Sequence, residues 1–248
     1  MPSVPGVQQR LPSLRAEPIA FAHRGARAHA RENTLEAFSL ALAMGATGLE
    51  SDVWSTADGR AVLDHDGVVR GRVRSRPVSS VPFDNLPTHM PAFEDIVNAN
   101  GTSFEFSIDI KSPGAVEALA RAVEKSGFPA VRLWLCSPAI EVLAECRLCI
   151  PGANLVHSTR SARLDGTLEQ HLARIPGLGI RALNMHHTEW NGGRVALAHR
   201  FDVCAFGWDL QHEEEMRTGV RMGLDAVYSD HVDMMMRIVA EESATPRG

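Results

Sequence analysis

The fold is decided by residues 48–66, which read Gly48-Leu-Glu-Ser-Asp-Val-Trp-Ser-Thr-Ala-Asp58-Gly59-Arg-Ala-Val-Leu-Asp-His-Asp66. Two short apolar runs, residues 48–53 and 60–63, are separated by six residues that end in the hairpin signal Asp58-Gly59. A parallel crossover needs about a dozen residues or more, so these two runs are predicted to pair as an antiparallel hairpin.

Outside the hairpin, apolar runs alternate with helical patterns, which is typical of βα units around a parallel sheet. Further strands are predicted at residues 19–22, 104–110, 131–135, 154–156, 180–183, 203–206 and 226–228, and helices at 35–44, 92–98, 115–126, 140–146, 168–174 and 213–222. If the second hairpin strand, residues 60–63, is left out, eight predicted strands remain, and eight parallel strands are the number that closes a (β/α) barrel. The sequence therefore predicts an α/β fold, a (β/α)8 TIM barrel with a β-hairpin extension and a small insertion after the second barrel strand.

The chain shows one globular region with polar, irregular ends. We expect a single barrel domain over residues 18–240, a flexible N-terminal extension at residues 1–17 and a C-terminal tail at residues 241–248.

The composition excludes several classes of protein. With 25 Lys and Arg against 30 Asp and Glu, the net charge is −5, so no overall basic field attracts nucleic acid or anionic lipid. No stretch approaches the roughly 20 apolar residues of a membrane-spanning helix, and residues 1–15 lack the apolar centre of a signal peptide. The 4 cysteines are too few for a disulfide scaffold. We expect a cytoplasmic protein that binds no nucleic acid and makes no stable membrane insertion, and its oligomeric state stays open.

Acidic side chains gather on the same face of two predicted strands. Because successive strand residues point to opposite sides, Glu50 and Asp52 share one face. In the next barrel strand, Asp109 and Lys111 end the polar face. Catalytic groups of such barrels lie at the carboxyl ends of the strands. The carboxylates of Glu50, Asp52 and Asp109 therefore predict a site for one divalent metal ion, Mg²⁺ or Ca²⁺.

Two histidines are predicted to lie beside these carboxylates. If the hairpin turn is centred near its Asp-Gly pair, residue i faces roughly residue 117 − i, which places His65 level with Asp52. His23 follows the first predicted strand and precedes Arg24. Cations that hold a phosphate and histidines that move protons suit phosphoryl chemistry, with Arg24 and Lys111 as the cations.

These residues belong to an ordered series of short motifs that resembles the glycerophosphodiester phosphodiesterase family. The series runs through residues 19–232 and consists of His23-Arg24-Gly25, Glu32-Asn33-Thr34, Glu50-Ser51-Asp52, Thr56-Ala57-Asp58-Gly59, His65-Asp66, Met90-Pro91-Ala92-Phe93-Glu94, Asp109-Ile110-Lys111, Trp208-Asp209-Leu210-Gln211 and Gly223-Leu-Asp-Ala-Val-Tyr-Ser-Asp230.

The resemblance implies an α/β barrel enzyme, a phosphoric diester hydrolase that converts glycerophosphodiesters to an alcohol and sn-glycerol 3-phosphate with a divalent metal. In that family a glycerol hydroxyl displaces the alcohol, and water then opens the cyclic phosphate. The implied roles are acid–base catalysis for His23 and His65, metal ligation for Glu50, Asp52 and Asp109, phosphate binding for Arg24 and Lys111, and a wall at the glycerol end for Trp208.

The sequence departs from the family pattern at several positions. Asp109 replaces the usual Glu, which draws that carboxylate back by one methylene, and Asp209 and Gln211 replace Thr and Asn after Trp208. The short insertion before the third barrel strand suggests a small or exposed leaving group. Two alternatives stay open: a phosphodiesterase of the same barrel that acts on lysophospholipids or another headgroup, and a barrel that binds phosphodiesters without turnover.

Overall fold

Eight parallel strands close into a barrel, and a helix lies between each barrel strand and the next. The structure, a computed structural model, describes residues 10–71 and 74–244. The strands are β1 (Ile19–His23), β2 (Gly48–Ser55), β3 (Ala61–Leu63), β4 (Val68–Val69), β5 (Arg76–Pro77), β6 (Glu105–Ile110), β7 (Leu133–Ser137), β8 (Asn154–Ser158), β9 (Ile180–His186), β10 (Cys204–Trp208) and β11 (Ala226–Ser229). The helices are α1 (Leu35–Ala43), α2 (Phe93–Asn100), α3 (Ala115–Ser126), α4 (Ile140–Cys149), α5 (Leu168–Arg174), α6 (Gly192–Arg200), α7 (Glu213–Arg221) and α8 (Val232–Ser243).

The barrel closes because β1 pairs in parallel with both β2 and β11. The strand order around the barrel is β1, β2, β6, β7, β8, β9, β10 and β11. Strand β3 pairs with β2 outside this ring, and β4 and β5 form a separate two-stranded ribbon in the insertion. The predicted (β/α)8 barrel with a hairpin extension and a small insertion is therefore confirmed.

The hairpin is antiparallel as predicted, but its register differs from the prediction by one residue. Its turn contains three residues, 57–59, and ends at Gly59 with a left-handed φ of 77°. Three-residue hairpin loops of this kind place glycine at the left-handed position. The backbone N–H of Asp64 therefore donates to the carbonyl of Asp52 at 3.1 Å, and His65 lies one residue beyond Asp52, within the approximate level that was predicted.

Alternation along the strands separates an inner and an outer apolar layer. The rings of Phe21 and Tyr228 stack inside the barrel with centroids 4.8 Å apart. On β6, Ser107 points inward and lies 3.1 Å from the Tyr228 hydroxyl, while the alternate residues Phe106 and Ile108 pack outward under the helices. The predicted polar inner face of this strand is thus present.

Two helices near the end of the chain differ from the expectation. Helix α6 was not predicted, because its first residues, Gly192-Gly193, are typical of a loop. The side chain of Asn191 caps it by accepting a hydrogen bond from the backbone N–H of Arg194 at 2.9 Å. Helix α8 continues to Ser243, so the predicted C-terminal tail begins inside this helix, and residues 245–248 lie outside the described part.

Within the residues that the structure describes, no helix is both long enough and apolar enough to cross a membrane.

The end of the predicted N-terminal extension packs against the amino end of the barrel. The backbone N–H of Leu11 donates to the carbonyl of Arg221 at 2.8 Å. Asp225, fully buried, accepts hydrogen bonds from the Ser13 hydroxyl at 2.6 Å and the Leu14 backbone N–H at 2.8 Å. Residues 10–17 are therefore part of the barrel's lower surface rather than a flexible extension, and residues 1–9 lie outside the described part.

The four contacts of Asp225 predict a large effect on stability. Besides Ser13 and Leu14, its carboxylate contacts His199 Nε2 at 2.8 Å and accepts from the Ala205 N–H at 2.7 Å. We expect Asp225→Asn to lower the free energy of unfolding by about 3 kcal/mol, because an amide group would face buried donors, whereas Ser13→Ala should cost about 1 kcal/mol. Urea denaturation measures both values, and equal losses in the two variants would contradict this role of Asp225.

Candidate active site

A cavity of about 510 Å³ opens at the carboxyl ends of the barrel strands. Every residue predicted from the sequence to form the site lines this cavity: His23, Arg24, Glu50, Asp52, His65, Asp109, Lys111 and Trp208. They come from four barrel strands and from the hairpin, and closure of the barrel brings them to one end. The structure thus brings the whole predicted set together.

His23 is held by a carboxylate that the sequence analysis did not select. Its Nδ1 lies 2.6 Å from Asp230 Oδ1. Burial raises the pKa of Asp230, but the hydrogen bond from His23, the charge of His23 and two nearby arginines together lower it more, so that pKa lies below its ordinary value. The ionised carboxylate can only accept, so Nδ1 carries the proton and Nε2 is left for the cavity, 3.8 Å from Glu50 Oε2.

The charge of the neighbours also acts on the histidine itself. Burial lowers the pKa of His23, but Glu50 and Asp230 together raise it more, so the pKa lies above the ordinary 6.5. An imidazolium at this position is therefore stabilised by two carboxylates.

The residues after His23 form a tight turn whose backbone contacts the neighbouring strand. Arg24 has a left-handed φ of 57°, and its N–H donates to Glu50 Oε2 at 3.0 Å. Gly25, with φ 82°, lies against Ala37, and a Cβ at this glycine would approach the Ala37 backbone to 2.7 Å. Only glycine permits this contact between the turn and α1, which fixes the position of Arg24 over the cavity.

The three predicted metal ligands face one another across β2 and β6. Asp52 and Asp109 are partners in the parallel register, and Glu50 precedes Asp52 by two residues on the same face. Burial raises the pKa of Glu50 to about 8, and Asp52 and Asp109 add to the rise against the attraction of His23. Burial likewise raises the pKa of Asp52 in spite of the attraction of Lys111.

Two cations offset part of this negative charge. The Lys111 ammonium lies 2.9 Å from Asp52 Oδ1 and 2.9 Å from Asp109 Oδ2, so it bridges the two strands. Burial lowers the pKa of Lys111, but both carboxylates raise it more, to above its ordinary value. Arg24 Nε lies 3.8 Å from Asp52 Oδ2. Both cations are therefore held by carboxylates.

The donor set suits a hard divalent cation, although no metal cage is preformed. Asp52 Oδ2 is buried and accepts no hydrogen bond, and all the candidate ligands are carboxylate oxygens, as Mg²⁺ and Ca²⁺ prefer. Across residues 10–71 and 74–244, no three His, Cys, Asp or Glu side chains are already arranged to hold a metal ion. The Lys111 ammonium occupies the space between Asp52 and Asp109, so a cation bound by both would require Lys111 to move.

His65 reaches the cavity from the loop after β3. Its Nδ1 lies 2.9 Å from Asp66 Oδ1, and the other oxygen of Asp66 accepts from Arg70 Nη2 at 2.7 Å. The side chain of His65 is 45% exposed, against 27% for His23. The two histidines therefore line the same cavity in different surroundings, one at a solvated rim and one among buried charges.

The opposite side of the cavity is formed by the ends of β8, β9 and β10, which we call the Trp208 wall after its largest side chain. The Arg160 guanidinium carbon lies 4.5 Å from the centroid of the Trp208 ring, and the His186 ring meets the same indole edge-on with centroids 4.6 Å apart. Asp209, in the left-handed conformation with φ 67°, also lines the cavity and contacts His186 Nε2 at 3.0 Å.

Gln211 connects this wall to the carboxylate that holds His23. Its Oε1 accepts from the backbone N–H of Asp230 at 2.9 Å, and its Nε2 donates to Asp209 Oδ1 at 3.3 Å. The departures from the family pattern at 209 and 211 thus lie between the cavity wall and the His23–Asp230 pair.

A larger cavity, of about 880 Å³, lies at the opposite, amino end of the barrel. Among the residues that the structure describes there, no histidine lines it, and its Glu105 accepts a hydrogen bond from the indole N–H of Trp134 at 2.7 Å. It lacks the acid–base groups that gather at the carboxyl end.

A simple signal could have identified Asp230 and Arg160. Asp230 is the first residue after β11 and Arg160 the second after β8, at the end of the barrel where His23 was selected by the same criterion. The predicted closed barrel implied that the first and last strands pair, but not the register that sets Ala22 beside Ser229 and so places Asp230 next to His23.

Comparisons with known proteins show the family to which the chain is similar. The family model described as "Glycerophosphoryl diester phosphodiesterase family" matches residues 23–234. A glycerophosphodiester phosphodiesterase of Caldanaerobacter subterraneus is 25% identical over 247 residues, which cover 89% of this chain and 97% of that protein.

Two solved structures have the same fold. A putative glycerophosphoryl diester phosphodiesterase from Silicibacter pomeroyi superposes with a TM-score of 0.81 at 21% identity, over 94% of this chain and 96% of the other. A phosphodiesterase from Oleispira antarctica, solved in complex with the product sn-glycerol-3-phosphate, gives a TM-score of 0.78 at 18% identity, over 90% and 97%. Since the family model covers the barrel from its first to its last strand, the chain belongs to the glycerophosphoryl diester phosphodiesterase family, a family of phosphoric diester hydrolases.

Proposed function

We propose that this protein hydrolyses glycerophosphodiesters to an alcohol and sn-glycerol 3-phosphate, using one divalent metal ion, Mg²⁺ or Ca²⁺. The observation that carries the proposal is the His23–Asp230 pair, whose free Nε2 faces the cavity beside three carboxylates and opposite a second histidine. Small diesters are the partners that this cavity suits; the acidic net charge of −5 does not favour nucleic acid.

The histidines would share the proton transfers. His23 is suited to take a proton from a glycerol hydroxyl, because Asp230 and Glu50 stabilise the imidazolium that results. His65, at the solvated rim, would then donate a proton to the oxygen of the departing alcohol. The roles reverse when water opens the cyclic phosphate.

The cations and carboxylates would manage the charge of the phosphate. Arg24 and Lys111 would bind its oxygens by turning from the carboxylates that they contact now. Glu50, Asp52 and Asp109 would hold the metal ion, which when bound withdraws negative charge from the phosphate. The buried Asp52 Oδ2, which accepts no hydrogen bond, supports this assignment.

We also propose a cytoplasmic location. All four cysteines, Cys136, Cys146, Cys149 and Cys204, are free thiols, as a reducing compartment allows.

Metal removal tests the reaction and the cofactor together. Release of glycerol 3-phosphate from glycerophosphocholine and glycerophosphoethanolamine should stop with EDTA and return with Mg²⁺ or Ca²⁺, because the carboxylates then regain their counterion. Asp52→Asn should abolish this response, while Asp84→Asn, on the insertion, should retain it. Turnover that persists in EDTA would contradict the metal assignment, and folded protein that hydrolyses neither diester with either metal would contradict the proposed substrates.

Removal of either histidine tests the acid–base roles. His23→Ala and His65→Ala should each lower kcat by at least about a hundredfold, since acid–base catalysis supplies roughly 10²–10⁴. Circular dichroism should show an unchanged fold. His29→Ala is the matched control, because the one described hydrogen-bond partner of the His29 side chain is the surface residue Asp233, at 3.3 Å. Either active-site variant turning over at the parent rate would show that its assigned role is wrong.

The Asp230→Asn variant distinguishes a role of Asp230 in orienting His23 from a purely structural role. An amide can still accept the Nδ1 hydrogen bond, but it removes a charge that raises the pKa of His23. We expect kcat to fall about tenfold or more with KM nearly unchanged, and the limb of the pH profile that reports His23 to move to lower pH. Asp233→Asn, on the adjacent helix, is the control. An unshifted pH profile in Asp230→Asn would argue that this carboxylate has only a structural role.

A further inference from the structure

We propose that the Trp208 wall contains a second anion subsite, so that the preferred substrates are diesters that carry an additional phosphate or carboxylate on a hydroxylated moiety. The subsite consists of Arg163, Arg160 and Asn184. This inference rests on the proposed function, because it assumes that the bridging phosphate of the diester lies against Arg24 and Lys111.

The position of the subsite follows from the strand order. Arg24 and Lys111 follow β1 and β6, whereas Arg160 and Arg163 follow β8, which lies opposite β1 and two strands from β6 in the barrel. All four line the same cavity. A ligand whose phosphodiester is bound by Arg24 and Lys111 therefore extends its other end toward Arg160 and Arg163.

Arg163 is the uncompensated charge of this wall. Arg160 forms an ion pair with Glu189 at 3.1 Å, so its charge is partly offset. Asp209 contacts His186 and Gln211, which engage both of its oxygens. In the described part of the chain, the exposed guanidinium of Arg163 makes no hydrogen bond or ion pair, although it lines the cavity. An anionic oxygen of the ligand is the partner that this group lacks.

Asn184 supplies a second, independent indication of a ligand. This residue is 5% exposed, and its Nδ2 donates to the Ser158 hydroxyl at 3.2 Å. Its Oδ1 is buried and accepts no hydrogen bond. Buried carbonyl oxygens are normally satisfied, so this oxygen lacks a donor, and Asn184 lines the cavity from which a ligand could supply one. A hydroxyl group of the ligand is such a donor. The free guanidinium of Arg163 would bind an anionic group of the same ligand, so the two residues together indicate a moiety that carries both a hydroxyl and an acidic group.

The same wall disfavours a cationic headgroup. A quaternary ammonium binds to the open face of an aromatic ring. The guanidinium of Arg160 already lies over the Trp208 ring, and His186 meets it edge-on. A choline moiety would meet the positive charges of Arg160 and Arg163 there, so anionic ends are preferred over cationic ones.

A matched pair of diesters tests the subsite. kcat/KM is measured for glycerophosphoglycerol, for the same diester bearing a terminal phosphate, and for glycerophosphocholine. The wild-type protein should favour the phosphorylated diester over glycerophosphocholine by about tenfold or more, and Arg163→Gln should remove about tenfold from the phosphorylated diester while changing glycerophosphoglycerol less than about twofold. Arg181→Gln, an exposed arginine at the amino end of β9, is the control for overall charge and should change neither.

The outcomes separate this inference from the proposed function. A wild-type preference for glycerophosphocholine, or an equal loss on both glycerol diesters in Arg163→Gln, overturns the subsite while leaving hydrolysis established. If no diester is hydrolysed, the proposed function fails, and calorimetric dissociation constants for the same matched pair decide the subsite. Tighter binding of the phosphorylated diester that Arg163→Gln abolishes supports it, and equal binding overturns it.

Discussion

The confinement of like charges at the carboxyl ends of β2 and β6 governs this protein's chemistry. Asp52 and Asp109 are partners in the sheet register, so the backbone prevents them from separating, and Glu50 lies on the same face. Buried anions without counterions are strongly unfavourable. Lys111 offsets part of this negative charge, because its ammonium lies 2.9 Å from a carboxylate oxygen of each aspartate. A phosphate that enters the cavity adds negative charge and competes for the same ammonium, and this competition is the physical reason to expect a further cation.

Barrel closure is the second constraint, because it joins the two ends of the chain at the site. His23 and Asp230 are 207 residues apart in the sequence, yet their side chains are 2.6 Å apart since β1 pairs with β11. At the other end of the same strands, the carboxylate of Asp225 accepts hydrogen bonds from Ser13 and Leu14. The last strand therefore carries one carboxylate that orients a histidine and another that stabilises the barrel.

Local patterns predicted much of this arrangement, and long-range pairings account for what they did not predict. Alternation along β2 and β6 was enough to place Glu50, Asp52 and Asp109 on the inner face, and the eight apolar runs predicted the barrel. The contact of Asp230 with His23 could not be read from either segment alone. The hairpin register depended on a three-residue turn with Gly59 in the left-handed conformation, which an Asp-Gly pair does not distinguish from a two-residue turn. Helix α6 depended on a cap at Asn191 that outweighs two helix-breaking glycines.

The two sides of the cavity are chemically different but physically connected. One side, around His23 and Lys111, carries the groups to which we assign proton transfer and phosphate binding, and the other, the Trp208 wall, is where we place the rest of the ligand. Gln211 joins them, because its amide accepts from the Asp230 backbone and donates to Asp209. The family pattern has asparagine here, which is one methylene shorter, so the longer side chain allows one amide to reach both groups. Substitutions of Gln211 therefore act on the orientation of the His23–Asp230 pair as well as on the Trp208 wall, so affinity and turnover should not vary independently at this position.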